Sequence, residues 1–208
     1  MIDEIEWYER LGNVPGVTYK GQPAVDRTKL PQHNAKPEVH SYEFDGRVHR
    51  SLSWKTREGS TSQSPAAGWR GGDDPRKTPS ADLLHKVYEA LELPGTVADY
   101  HFALLGTYDT LWARRKREPQ LLPELEQLLL LDVALVEAHP DAISHEMQGE
   151  KFTPHVPAFH LLVSLYEREG FFHDALDIAK RGAGLGQGGD DVERLSERLA
   201  AVEAEDTA

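Results

Sequence analysis

The sequence predicts an all-α fold of antiparallel helical hairpins over residues 78–208, preceded by a mostly irregular arm and linker over 1–77 with one candidate β-hairpin. Three observations carry this reading. From Thr78 onward, apolar residues recur at helical spacing between recognisable starts and stops. Before that point, residues 59–75 are rich in Gly, Ser and Pro and bury too little apolar surface to offset the entropy of ordering them. The charge divides at the same place. Residues 1–79 hold 11 acidic and 12 basic side chains, whereas 80–208 hold 24 and 11, so the second part carries −13 against a whole-chain −12.

Within the arm, residues 2–11 suit one or two helical turns with Ile5 and Tyr8 on one side, ended by Gly12-Asn13. Pro15, Pro23, Pro31 and Pro37 argue against any long helix between them. Residues 41–44 and 47–52 alternate around Asp45-Gly46, the dipeptide that a type I′ turn favours. A lone hairpin is marginal in water, so this one docks on something or orders on binding.

The helices follow in order. Thr78-Pro79-Ser80 and Asp82 open the first, with Leu83, Leu84, Val87, Tyr88 and Leu91 at helical spacing, and Pro94-Gly95 close it. Thr96 caps a second that runs to about Arg117, with Tyr100, Ala103, Leu104, Thr107, Tyr108 and Leu111 on one stripe; Glu118-Pro119 stops it. The third, 123–138, is nearly all apolar. A helix of that kind is central in a bundle or forms half of an interface, so its leucines are the candidate face of a homodimer. Two more helices, 156–169 and 172–182, are separated only by Gly170-Phe171. An amphipathic helix over 190–204 ends the series.

The segment from Phe159 to Ala179 resembles a tetratricopeptide repeat. Phe159, Leu162 and Tyr166 take the large, leucine and tyrosine positions, and Val163 stands where a smaller residue is usual. Gly170 falls at the inter-helix turn. Ala175 sits where a small side chain lets the second helix approach the first. Gly182 is small but a poor helix former, and Gln187 stands where a proline often sits. A poorer copy pairs 97–117 with 123–138, with Tyr108 in the tyrosine role, His139-Pro140 near the terminal proline, and an overlong loop at 116–122. Residues 96–205 as a whole resemble degenerate tetratricopeptide-like modules of bacterial proteins; residues 1–79 lie outside the resemblance. A generic α-bundle is the alternative architecture.

The resemblance implies a short right-handed α-solenoid with a non-catalytic role, binding a peptide or partner helix in a groove lined by the first helix of each repeat. Carried onto this chain, the groove positions are Pro157, His160, Ser164, Glu167 and Arg168. Some members of that family clasp a partner's terminal carboxylate with a lysine and an asparagine. Here those positions hold His160 and Ser164, and Phe102 and Gly106 in the poorer copy, so binding of that kind is not expected.

The acidic charge points to a basic or neutral protein or peptide partner and weighs against duplex nucleic acid and anionic membranes. One basic segment is already tethered: Arg47, His49, Arg50, Lys55 and Arg57 with Trp54 among them. The arm is therefore expected to lie on, or compete for, the helical surface. No apolar run approaches the roughly 20 residues of a membrane helix, and the acidic start differs from a signal peptide. The expected location is the cytoplasm.

Chemistry-bearing motifs are sparse. With no cysteine, disulfides, thiolate nucleophiles and Cys-rich zinc sites are excluded. His155 and His160 are five residues apart and share no helix face, and His145-Glu146 lacks the second histidine of a metalloprotease motif. No metal or cofactor is expected. Asp73-Asp74 falls in the linker, and Asp190-Asp191 complements a helix N-terminus. The glycines of 182–189 follow a helix rather than a strand, unlike a dinucleotide loop. No Gly-x-Ser-x-Gly setting is present, so an enzyme is not expected. The basic run Arg114, Arg115, Lys116 and Arg117 either complements a helix C-terminus or contacts a phosphate or an acidic peptide. Joined with Trp112, Trp54, Lys55 and Arg57, it supports a second reading, single-stranded nucleic-acid contact by stacking and cations.

Overall fold

The computed structural model describes residues 6–44, 46–69, 74–147, 150–152 and 154–206. They form seven α-helices, five strands and three single 3-10 turns, and the chain divides into two compact units, 1–119 and 120–208. The fold is mostly helical with a small antiparallel sheet, so all-α is corrected to that extent.

In the first unit, β1 (Pro37–Phe44), β2 (Arg47–Thr56) and β3 (Gly59–Thr61) make a sheet in the order β1-β2-β3. The expected hairpin is β1–β2, paired from Pro37↔Trp54 to Phe44↔Arg47, and Gly46 takes the left-handed φ of +69° that a tight turn requires. Asp45 of that turn and 70–73 of the linker lie outside the described residues.

A short α1 (Pro65–Gly68) follows, where the linker composition predicts no structure. Ser64 Oγ accepts from Ala67 N at 3.1 Å to cap it. Then come α2 (Ser80–Leu91) and α3 (Val97–Arg114). Thr96 Oγ1 accepts from Asp99 N, and Asp99 Oδ2 accepts from Thr96 N at 2.9 Å, a complete capping box.

The arm is less irregular than its composition predicts. Leu11, Val14, Leu30, Leu52 and Trp54 are buried. Residues 6–10 are not helical: Tyr8 and Gly95 exchange backbone hydrogen bonds at 2.8 and 3.0 Å, and one 3-10 turn spans Leu11–Asn13. Arg27 Nε donates to Glu92 O at 3.1 Å and its Nη2 to His33 O at 2.7 Å, strapping the arm to the end of α2. Ala66 N donates to Pro94 O at 3.0 Å. A Cβ at Gly95 would sit 2.8 Å from that of Ala66, so only glycine permits this approach. Residues on both sides of the expected 77/78 boundary therefore belong to one unit.

The second unit holds α4 (Leu122–Ala138), a hairpin of β4 (His145–Met147) and β5 (Glu150–Phe152), α5 (Pro157–Glu169), α6 (Phe172–Gly184) and α7 (Asp190–Asp206). Consecutive helices pack: α4 on α5, α5 on α6, α6 on α7. Gly170, with φ +86°, ends α5 and lets α6 turn back against it. Arg181 grips Glu137 through two hydrogen bonds of 2.8 Å, joining α6 to α4, and Tyr166 Oη donates to Glu126 at 2.7 Å.

Leu125, Leu128, Leu129, Val133 and Leu135 are fully buried. The expectation of an exposed leucine face on this helix is thus corrected: the chain covers it itself. Among the described residues no helix is long and apolar enough to cross a membrane.

Candidate functional site

The expected groove positions lie on α5, and one of them opens onto a recess of about 90 Å³. Phe159, Val163 and Ala179 form its floor. His155, His160 and Asp191 form its rim, and Gly182, Gln187 and Gly188 its back wall. The three departures from the repeat pattern, Val163, Gly182 and Gln187, all line it. The Phe159 ring lies so close to Gly182 that a Cβ there would come within 3.1 Å of it. The buried Gln187 accepts from Val156 N at 3.0 Å and donates to Pro154 O at 3.2 Å, so its amide clasps the entry of α5 to the turn before α7.

Of the other four positions, Pro157 is half-buried at the start of α5, and the remaining three differ in availability. Ser164 is half-buried one turn beyond His160. Glu167 is engaged within the unit: Arg194 and Arg198 of α7 each donate to its Oε1 at 2.6 Å. The Arg194 guanidinium, joined by Arg198, holds the Glu167 carboxyl below the usual range, although partial desolvation opposes the shift. Arg194 also donates to Asp191 at 2.8 Å, and Arg198 lies 4.7 Å over the Phe172 ring. Arg168 is exposed beside Glu169 at 3.6 Å. On this face His160 and Arg168 are exposed and Ser164 half-buried, whereas Glu167 is not free.

The charge is more sharply divided than the 79/80 cut suggests. Residues 1–119 hold 17 acidic and 17 basic side chains, and 120–208 hold 18 and six, so the second unit carries the whole −12.

Half of the basic run is consumed by the fold. Arg114 Nη1 donates to Thr78 O at 2.8 Å and Ser80 Oγ at 3.0 Å, and its Nη2 donates to Pro75 O at 2.8 Å and Arg76 O at 3.1 Å. Arg115 lies 3.8 Å over the Trp112 ring and donates to Trp112 O at 2.6 Å. Lys116 and Arg117 are exposed. Trp54 is 1 % exposed and meets Trp7 edge-on at 5.8 Å, so it cannot stack on a base. Lys55 pairs with Glu38.

A second concavity, in the first unit, is an open groove of about 860 Å³ between Pro31-Gln32, the β2–β3 turn and α1, with Trp69 at one end. Its lining comes from two stretches of chain, 31–32 and 56–69, a combination with no sequence signature. His145-Glu146 stands on β4 rather than on a helix. Among the described residues no group of three or more His, Asp or Glu side chains could hold a metal ion. Comparison with protein-family models, with curated proteins and with solved structures finds no match to this chain.

Proposed function

We propose that the second unit is a non-catalytic protein-interaction module of degenerate tetratricopeptide-like type, acting in the cytoplasm. It binds a basic or neutral peptide or partner helix along α5. The observation that supports this best is the recess at His160, an apolar floor with an imidazole and carboxylate rim, on a unit of net charge −12. A small apolar pocket with a few polar groups at its edge suits one anchoring side chain, and the surrounding charge attracts cationic neighbours. The reading rests on α5, α6 and α7. The poorer copy would pair α3 with α4, which belong to different units.

Panning a random peptide library on the full chain tests the reading. Enriched peptides should place Lys or Arg around one aliphatic or aromatic residue. Replacing both exposed imidazoles, His155→Ala with His160→Ala, should then weaken binding about tenfold and leave the melting temperature unchanged. Enrichment of acidic peptides, or unchanged affinity in the double variant, would contradict it.

A further inference from the structure

The outer edge of β1 is the longest unpaired backbone edge in the sheet. Among the described residues, β1 has β2 as its only strand neighbour, over eight residues without a bulge. Glu38 to Glu43 are all exposed, with Val39 and Tyr42 each 54 % exposed and Val48 of β2 59 %. Strand edges are ordinarily blunted by an internal proline, charged side chains (lysine above all), a bulge or a covering segment; the charges of β1 are Glu38 and Glu43 alone. β1 has no proline after Pro37 and no lysine. Two of its polar side chains are tied back to β2: Glu38 to Lys55, and His40 to Ser53 Oγ at 2.7 Å.

The register decides what can pair with this edge. Phe44 pairs with Arg47 across a two-residue connection, so that pair exchanges both of its backbone hydrogen bonds. Alternation along the ladder then directs the backbone groups of Glu38, His40 and Tyr42 to β2 and those of Val39, Ser41 and Glu43 outward. We infer that β1 is a self-association edge, pairing antiparallel with β1 of a second copy about a two-fold axis at Ser41.

That axis uses seven residues, 38–44, and excludes Pro37. It sets Val39 opposite Glu43 and His40 opposite Tyr42, with the small Ser41 facing itself. Moving the axis one residue to His40 would oppose two imidazoles and bring Pro37 into the ladder. The charges agree with the Ser41 axis. Arg50 stands beside Ser41 on β2 and is half-buried. Glu43 of the second copy lies on the same face, one strand beyond Ser41 and one row along. An isologous pairing of this kind closes as a dimer and continues the two sheets as one.

Sedimentation of the full chain over a wide concentration range tests this, with three variants. The parent protein should show a concentration-dependent dimer. Ser41→Pro removes an outward amide and takes no hydrogen bond from the β1–β2 ladder, so it should be monomeric with its circular dichroism retained. Val39→Lys, facing Glu43 of the second copy, should tighten the dimer about fivefold, and Val39→Glu should weaken it by a similar factor. A monomer at every concentration would overturn the inference. So would a dimer that survives in folded Ser41→Pro, or a response to Lys and Glu at position 39 in the same direction.

Discussion

Arg114 shows how a residue legible as surface charge can be structural. Its four hydrogen bonds reach carbonyls and a hydroxyl in 75–80, a segment more than thirty residues earlier, which no local pattern announces. Arg114→Ala should therefore cost about 2 kcal/mol in denaturant unfolding, the scale for hydrogen bonds to a charged group. Lys116→Ala and Arg117→Ala should each stay within about 0.5 kcal/mol. Gly21 makes a second case. Its φ is +76°, and an added Cβ would lie 2.5 Å from the buried Glu92 Oε1. Gly21→Ala should lose about 1–2 kcal/mol from the left-handed backbone alone. Nothing in the dipeptide Gly21-Gln22 reveals that a carboxylate 71 residues away lies beneath it.

The helices were legible because their ends carry chemistry. Thr96, Pro94-Gly95 and Gly170 are local stop and start signals, and each lies at or just beyond a helix end in the structure. Thr96→Ala should cost about 1 kcal/mol by calorimetry, since the box satisfies amides that α3 leaves open. The β4–β5 hairpin was not legible, because strands of three residues are too short for alternation to show. The arm's core was missed for a related reason: Leu11, Val14 and Leu30 are isolated apolar residues among prolines, without a period.

On α5, the resemblance implied His160, which lines the recess, but could not show that α7 claims Glu167. That ion cluster has a pH signature. The folded carboxyl of Glu167 titrates below the ordinary 4.5, so its contribution is complete above that value and is lost as pH falls through the depressed one. Glu167→Gln should be less stable than the parent at neutral pH, and the two should converge in acid. Urea midpoints measured from pH 7 downward would show it; a constant gap would assign the loss to packing instead.

At the scale of the molecule, composition located a charge asymmetry but misplaced its boundary. The Gly/Ser/Pro stretch looks like a linker, yet Ala66 is fully buried and the arm contributes Trp54 and Leu11 to the first unit's core. Deleting residues 1–79 should consequently leave α2 and α3 without their partners and abolish cooperative melting of that unit, seen as lost near-ultraviolet dichroism. An unchanged transition would mean that the arm is dispensable. The second unit, which holds the net charge and the recess, bears the functional proposal. Its most direct test is amide chemical-shift mapping on the isotopically labelled full chain during titration with a selected basic peptide. The account predicts shifts confined to residues 155–168 and 179–191, growing to saturation. Shifts centred on the 57–69 groove or on Lys116 and Arg117, with α5 silent, would contradict it.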